Sequence, residues 1–556
     1  MQRLELTWIG KGEEPAVEPR ILLHDLSKDY GDPNTENMLI HGDNLLALKA
    51  LEQQYAGQVK CIYIDPPYNT GEAFEYYDDN LEHSIWLGLM KARLEILYNL
   101  LADDGFFCCQ IDDSEGHYLK VMLDEIFGRN GYYQSTIYVR VRYPEKTLKQ
   151  DMSFHKEIEQ VHIYRKTAAA KPKLDRVEVG YEKFKYKITT TASPDKILEL
   201  GGKKVEVFYK DNYEIIEEEG SEYGLKEIWA SGTILDGNSS GRFFRDYLTG
   251  RYEDDGYGVI YKVYGIGDDR FDYRFFTGPN REGATKGKYY QGVPLEKLQS
   301  GEMTREVPIS GFLDLAANFG NCRHEGGSEF RGGKKPEILI YTLLKHFSNP
   351  GDLVLDGFLG SGTTAAVAHK MGRRYIGIEL GEHCYTLCKP RLDRVIDGEQ
   401  TGISKEVNWQ GGGGYKFYEL APSIIEKDKY GNPIISSQYN SNMLIAAVAK
   451  LNGYSYAPDP DVFWKQGFSQ DKSYIYVTTN YLDSKMLDSI AADLGGMESL
   501  LVCAPAFDIG LDKRYDNIQV KKIPQSVLDK CEYGVDNYNL NVVEIPIIDE
   551  EEWEDD

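Results

Sequence analysis

The tetrapeptide Asp65-Pro66-Pro67-Tyr68 follows directly on the apolar run Val59-Lys60-Cys61-Ile62-Tyr63-Ile64. The run predicts a buried strand and the tetrapeptide the loop at its carboxyl end. Two consecutive prolines stop a strand and hold the backbone extended. A carboxylate, a backbone carbonyl and an aromatic ring then face one small volume, which suits a flat heterocycle bearing an exocyclic amine. Such an amine is a poor nucleophile, because its lone pair is delocalised into the ring. Two acceptors aimed at its N–H groups, the Asp65 carboxylate and the Pro66 carbonyl, would localise that pair. The carboxylate would also stabilise the positive charge that develops on nitrogen during attack. Tyr68 would stack on the base. Stacking contributes ~1–3 kcal/mol, comparable to the few kcal/mol needed to unstack a duplex base.

A second loop, Asp356-Gly357-Phe358-Leu359-Gly360-Ser361-Gly362-Thr363-Thr364, also stands behind a predicted strand, Leu353-Val354-Leu355-Asp356. Gly360 and Gly362 allow a tight turn and close approach of backbone to a ligand. Glu379 ends the next predicted strand, seventeen residues after Gly362. In a doubly wound sheet that position accepts hydrogen bonds from ribose hydroxyls. The loop has no Lys where a phosphate-cradling loop would carry one, so a nucleoside without phosphates, such as S-adenosyl-L-methionine, fits better than a nucleoside triphosphate. Asp356, Phe358, Gly360, Ser361, Gly362, Thr363 and Glu379 are the expected cofactor-binding residues of this half. Together the two loops imply methyl transfer to an amino group of a nucleic-acid base. Methylation at cytosine C5 is disfavoured, because it needs a Cys nucleophile beside a Pro and the chain holds no Pro-Cys pair.

Alternating elements must position these loops. Met38 to His41 predicts a strand, Leu45 to Leu51 a helix, and Leu87, Met90, Leu94, Leu97 and Leu101 recur at helical spacing up to a stop at Gly105. Phe106 to Ile111 and Ile158 to Tyr164 predict strands, with a helix over Tyr118 to Phe127. After Pro336, which fits a first helical turn, the alternation resumes through Leu353 to Asp356, Thr363 to Met371, Tyr375 to Glu379 and Tyr385 to Val395. Strands and helices of these lengths predict an α/β fold, a doubly wound Rossmann-like sheet that is largely parallel. From about Thr167 to Gly333 the alternation disappears and tyrosine and glycine become dense, which predicts an inserted α+β module. The expected division is 1–166 and 334–420 for the two halves of the core, 167–333 for the insertion and 421–556 for a C-terminal α/β region. The last contains a strand-helix-strand unit over Ser473 to Cys503 and no catalytic constellation.

A chain of 556 residues exceeds one core, and its 41% hydrophobic and 27% charged residues are ordinary for a globular protein. No apolar run approaches the ~20 residues of a membrane helix. The first residues carry no basic segment followed by an apolar stretch, and the eight cysteines are sparse. A cytoplasmic protein with reduced thiols and no membrane association is expected. Cys384 and Cys388, beside His383, lack a second ligand pair at zinc spacing, so core packing is the expectation and no metal is expected. The net charge of −26 argues against attraction of the whole protein to polyanions, yet Arg129 to Lys187 holds fourteen Lys or Arg against seven Asp or Glu. A local basic surface suffices for DNA. Arg140, Arg142, Arg242 and Arg245 are the candidate phosphate and base-edge contacts. The acidic run Asp549 to Asp556 predicts a frayed end.

Read together, the stretches Asn37 to Leu51, Ile62 to Gly71, Leu81 to Gly128 and Lys334 to Leu420 resemble the β-class amino-methylating DNA methyltransferases, whose catalytic loop precedes the cofactor loop in a circularly permuted order. The nearest resemblance is to the modification (Mod) subunits of type III restriction-modification systems. It implies a target recognition domain between the two loops, double-stranded DNA as substrate, a homodimer and a restriction or helicase partner subunit. It also implies that Asp43 approaches the adenine end of the cofactor, that Lys335-Pro336-Glu337 opens the helix at its methionine end, and that Phe358 lines its pocket. Gly357 stands where many relatives carry Pro or Phe. An Asp at position 65 favours adenine N6 as the acceptor. Cytosine N4 or RNA methylation, and a recognition subunit active only with a partner, are the alternatives.

Overall fold

The computed structural model describes residues 5–12, 16–69, 82–128, 132–145, 154–230, 239–284, 286–300, 304–327, 333–469 and 472–523. Thr70 and Gly71 of the catalytic-loop string, several residues of the basic stretch from Arg129, and the acidic run from Asp549 lie outside them. The chain forms two compact units, residues 174–309 and the remainder on either side.

The larger unit is built on an eleven-stranded sheet. Its order is Leu22–His24, Gly414–Leu420, Met38–His41, Arg374–Glu379, Leu353–Asp356, Val59–Ile64, Leu101–Ile111, Ile158–Arg165, Tyr133–Arg140, Phe312–Asp314, with Tyr30–Gly31 pairing to Gly414–Leu420 off this path. The six strands from Gly414–Leu420 to Leu101–Ile111 run parallel. Ile158–Arg165 then turns antiparallel to both its neighbours. Alternation along each strand divides the core. Ile62, Ile64, Phe107, Cys109, Leu353, Leu355, Ile376 and Ile378 join one buried cluster with Leu45, Leu46, Leu48, Trp86, Met90, Leu94 and Leu97. These come from the helices Asn44–Tyr55 and His83–Leu100. The alternate residues Cys61, Tyr63, Phe106, Cys108 and Val354 are equally buried, and Phe106 stacks 4.7 Å from Phe347 of the helix Glu337–Phe347. Parallel strands covered on both faces read as continuous apolar runs, which is why they were visible in the sequence.

Two boundaries differ from expectation. The helix stops at Leu100, not at Gly105, and the chain passes straight into the strand Leu101–Ile111. The pairing jumps from Val59–Leu101 to Cys61–Phe106, so Ala102 to Asp104 bulge out of register. A Cβ at Gly105 would stand 2.9 Å from the Ala102 carbonyl oxygen, so this glycine serves the bulge and not a helix cap. Pro336 is not inside the helix but caps it with extended backbone, φ −69° and ψ 141°. The Glu325 carboxylate accepts from the Glu337 amide at 2.8 Å, the first amide that needs a partner.

The smaller unit, 174–309, carries a six-stranded antiparallel sheet, Lys196–Leu200, Lys203–Phe208, Ile260–Tyr264, Tyr273–Thr277, Gly287–Gln291 and Lys226–Ala230, with short helices. Tyr261, Tyr289 and Tyr290 are buried in it, which accounts for part of the tyrosine density. Phe312–Asp314 does not join this unit. It pairs with Tyr138 to Arg140 at the edge of the large sheet, so the chain re-enters the larger unit before residue 333. Beyond residue 420 a five-stranded sheet, ending in three parallel strands Ser473–Val477, Ser499–Ala504 and Ile518–Lys522, packs with the helices Ser441–Leu451 and Ser484–Asp493. No helix among the described residues is long and apolar enough to cross a membrane.

Candidate active site

The two motif-bearing strands are immediate neighbours. Val354 stands opposite Cys61 and Leu355 opposite Ile62, so Asp356 and the Asp65 loop leave the same carboxyl edge side by side. The next strand sets Gly377 opposite Asp356 and carries Glu379 to that edge as well. Leu101–Ile111 lies to one side of this pair and Arg374–Glu379 to the other. That is a topological switch point, where open α/β sheets place their ligands.

Lys335 and the Tyr68 hydroxyl both meet the Asp65 carboxylate. Its Oδ2 lies 3.0 Å from Lys335 Nζ, while Oδ1 is buried without a hydrogen-bond partner among the described residues. Leaving such an acceptor unmet costs about 1–3 kcal/mol, so this atom is poised for a donor. Lys335 Nζ is also 3.6 Å from Glu159 Oε2 and 4.8 Å from the centre of the Tyr68 ring. The Tyr68 hydroxyl donates to Glu159 Oε2 at 2.8 Å, and Gln110 Nε2 donates to the same oxygen. Tyr63 in turn donates to Gln110 Oε1 at 2.5 Å. Trp86 Nε1 donates to the Pro67 carbonyl at 2.8 Å, tying the loop to the helix His83–Leu100. Asn69 completes the loop in the left-handed region, φ 58°, with its amide donating to Glu115 at 2.6 Å. Asn tolerates that conformation better than most residues.

The glycine loop turns at Gly360, φ 56°, and Gly362, φ 79°, both left-handed, and the helix Thr363–Lys370 starts behind it. Asp356 shapes the turn by accepting from the Phe358 amide at 2.9 Å and the Thr364 hydroxyl at 2.6 Å. Glu379 accepts from the Gly360 amide at 2.7 Å, from the Leu380 and Gly381 amides, and pairs with His383 Nε2 at 3.0 Å. Ser361 and Thr363 are buried, and Arg391 Nη1 donates to the Ser361 carbonyl and to Thr363 Oγ1. Cys388 Sγ donates to the Gly360 carbonyl at 2.8 Å, so this thiol and His383 both brace the loop. Among the described residues no cluster of three or more His, Cys, Asp or Glu could hold a metal ion. The loop itself carries one buried acid, Asp356, and no cation, and Glu379 stands behind it. A Cβ at Gly360 would meet only the Phe358 carbonyl, 4.0 Å away. An open, lightly charged backbone cradle with a carboxylate behind it fits a nucleoside that brings no phosphate.

Burial pushes the Asp65 carboxyl above the usual range; Lys335 opposes this and Glu159 adds to it. Burial presses against the charge of Lys335, yet Asp65 and Glu159 hold its ammonium above the ordinary lysine value. Burial lifts Asp356 from 3.8 to about 7, against the hydrogen bonds from Thr364 and Phe358.

The site gathers Asp65, Pro66, Pro67, Tyr68, Lys335, Asp356, Phe358, Gly360, Ser361, Gly362, Thr363 and Glu379 at one sheet edge. Lys335 differs in aim from expectation, since its ammonium meets the catalytic loop. Asp43 is 1% exposed and already engaged. Its Oδ1 caps the helix at the Leu46 amide, 3.1 Å, and its Oδ2 lies 3.3 Å from the fully buried Arg93. Arg140 is paired with Asp314 and Glu157, and Arg142 donates to the Lys156 carbonyl. Arg242 and Arg245 belong to the smaller unit, where Arg245 pairs with Asp246. Sequence reasoning missed Glu159, Gln110, Tyr63 and Trp86. The one signal for the first two was a polar side chain inside an apolar strand.

Residues 59–390 match the family model N6_N4_Mtase, described as DNA methylase. The probable type III restriction-modification enzyme HindVI Mod subunit of Haemophilus influenzae is 35% identical over 413 residues, 70% of this chain and 54% of that relative. The StyLTI Mod subunit of Salmonella typhimurium is 27% identical, over 64% of this chain and 52% of the relative. The EcoP15I Mod subunit of Escherichia coli is 23% identical, over 76% and 72%. The chain thus spans about half the length of the first two relatives.

Proposed function

The chain belongs to the DNA methylase family, and on that premise we propose that it transfers a methyl group from S-adenosyl-L-methionine to the exocyclic N6 amine of an adenine flipped out of double-stranded DNA. The observation that carries this reading is the buried Oδ1 of Asp65, without a hydrogen-bond partner among the described residues, behind a strand that pairs directly with the strand of the glycine loop.

Asp65 and the Pro66 carbonyl accept from the two amine hydrogens and hold the nitrogen lone pair out of conjugation. Tyr68 stacks on the purine. Gly360, Gly362, Phe358, Ser361 and Thr363 would cradle the cofactor, with Glu379 behind the loop. Bound there, S-adenosyl-L-methionine supplies an electrophilic methyl on a sulfonium sulfur. As the N–C bond forms and the S–C bond breaks, the Asp65 carboxylate stabilises the cationic nitrogen, which then sheds one proton toward it. Lys335 favours the ionised form of Asp65 against the burial that opposes it. Asp43, fixed by Arg93, positions the start of its helix and takes no ligand through its side chain in this scheme.

The smaller unit, 174–309, would recognise the target sequence, with Arg242 and Arg245 there and Arg140 and Arg142 in the larger unit as candidate DNA contacts. The relatives are Mod subunits of type III restriction-modification enzymes. Carried to this chain, that supports a restriction subunit as partner, while a helicase partner and a homodimer rest on the sequence resemblance alone.

Mass spectrometry of nucleosides from DNA incubated with the protein and isotopically labelled cofactor tests the reaction. Labelled N6-methyldeoxyadenosine is expected, and Asp65→Ala is expected to abolish it while cofactor binding survives. Labelled N4-methylcytosine, or label in RNA alone, would replace the substrate named here.

A further inference from the structure

We propose that Glu159 is a positioning residue of this reaction, fixing the Tyr68 ring and the Lys335 ammonium against the substrate side of Asp65, with Gln110 as its tether. The proposal rests on the reading of the Asp65 loop as the site of transfer.

Three donors converge on one carboxylate oxygen of Glu159. They are the Tyr68 hydroxyl at 2.8 Å, the Gln110 side-chain amide, and the Lys335 ammonium at 3.6 Å. The carboxylate is 14% exposed and sits on the strand Ile158–Arg165, which is not part of either motif. Gln110 is fully buried on the strand between, and its orientation is set, because Oε1 accepts from Tyr63 and Nε2 must therefore face Glu159. The chain of bonds Tyr63, Gln110, Glu159, Tyr68 thus leaves the strand that carries the catalytic loop, crosses two neighbouring strands and returns to that loop. A ring that must stack on a flipped base has two soft torsions. Anchoring its hydroxyl from behind removes both and leaves the ring plane fixed. Lys335, 4.8 Å from that ring and 3.0 Å from Asp65, is shared between two carboxylates, so Glu159 also sets how tightly it presses on Asp65. Asp65 Oδ1 has no hydrogen-bond partner among the described residues, whereas Oε2 of Glu159 meets Tyr68, Gln110 and Lys335.

Glu159→Ala and Glu159→Gln are compared with Gln110→Met, which keeps volume and removes the tether, and with Tyr68→Phe alone and in combination. A misplacement of about 1 Å costs on the order of a hundredfold in rate. Glu159→Ala should therefore lose about a hundredfold in kcat, with the cofactor dissociation constant unchanged within about threefold, and Gln110→Met should move the same way by less. In the Tyr68→Phe background Glu159→Gln should cost far less than in the wild type, because the shared bond is already gone. NMR of protein labelled at the tyrosine ring carbon bearing oxygen, with the Tyr68 signal assigned through Tyr68→Phe, reads the anchor without any catalysis. That signal should shift in Glu159→Gln and Gln110→Met. Transfer by the wild type together with an unshifted Tyr68 signal, or with strictly additive losses, overturns the role of Glu159 alone. Absence of transfer by the wild type overturns the reading of the loop and this role with it.

Discussion

Replacing Lys335 by Met removes the cation that stands 3.0 Å from Asp65 and 3.6 Å from Glu159, while keeping most of the side-chain volume. At an effective dielectric of about 20, a charge pair at that distance interacts by roughly 5 kcal/mol. Asp65 is one-fifth exposed, so water replaces part of the lost attraction, and its carboxyl is expected to move further up. Burial already holds that carboxyl above its ordinary value with the lysine in place. The ionised form accepts more strongly from the amine, and it alone carries the negative charge that meets the charge developing on nitrogen. The rate therefore rises with pH as Asp65 ionises, and the acid limb of kcat/KM must move to higher pH in Lys335→Met. Lys335→Arg, which keeps the charge, should move it far less. Stability follows the same sign. A carboxyl whose folded value is raised contributes stability that is complete below its unfolded value and lost as pH rises through the folded one. The melting temperature of Lys335→Met should thus fall further below wild type as the pH rises past the raised folded value that Asp65 has in the wild type. The assay is methyl transfer from labelled cofactor across pH 5 to 9, with cofactor affinity measured by calorimetry at each end. An acid limb at the wild-type position, in a variant that still binds cofactor, refutes the electrostatic role given to Lys335.

Glu379→Ala strips partners from the Gly360, Leu380 and Gly381 amides, at about 1–3 kcal/mol for each buried group left unmet. Calorimetry should show at least a tenfold loss of cofactor affinity, and unchanged affinity would remove Glu379 from the site. Asp356, lifted to about 7, contributes stability that is full below 3.8 and lost as the pH rises through 7. Urea titrations at pH 5 and pH 8 should show wild type losing on the order of 2–4 kcal/mol relative to Asp356→Asn over that interval, and an equal difference at both pH values would contradict it. If Arg142 meets a phosphate, Arg142→Gln should flatten the slope of log affinity for DNA against log salt by about 0.9, whereas Arg140→Gln, already paired with Asp314 and Glu157, should flatten it less. An unaltered slope in Arg142→Gln removes that contact.

Features written in local chemistry were legible in the sequence. Val59 to Ile64 and Leu353 to Asp356 are continuous apolar runs because both faces of each are covered, and proline or glycine marks where each ends. That was enough to name both loops and their order. Features written in strand order were not. Tyr63, Gln110 and Glu159 meet only because their strands are consecutive in space, and no pattern within any one strand announces it. Lys335 was legible as the start of a helix, but its aim at Asp65 depends on where that helix lands. Gly105 misled for a related reason: a glycine after a helical repeat reads as a stop, and only the pairing partner reveals that it serves a bulge. The arginines proposed for DNA are the least legible, since a basic side chain looks alike whether it meets a phosphate or the carboxylate beside it.

The pairing of Val59–Ile64 with Leu353–Asp356 has a consequence for how the molecule comes into being. During synthesis the first of these strands waits, with one ladder edge unsatisfied, while the whole of residues 174–309 is made and can fold as its own unit. Closing so long a span is slow and leaves an aggregation-prone edge exposed meanwhile. No ribosome-bound fragment ending before Asp356 can assemble the crevice, so the two loops come together late and all at once. The same topology makes the chain divisible: two polypeptides cut within the intervening unit should rebuild the sheet by docking one strand edge against the other.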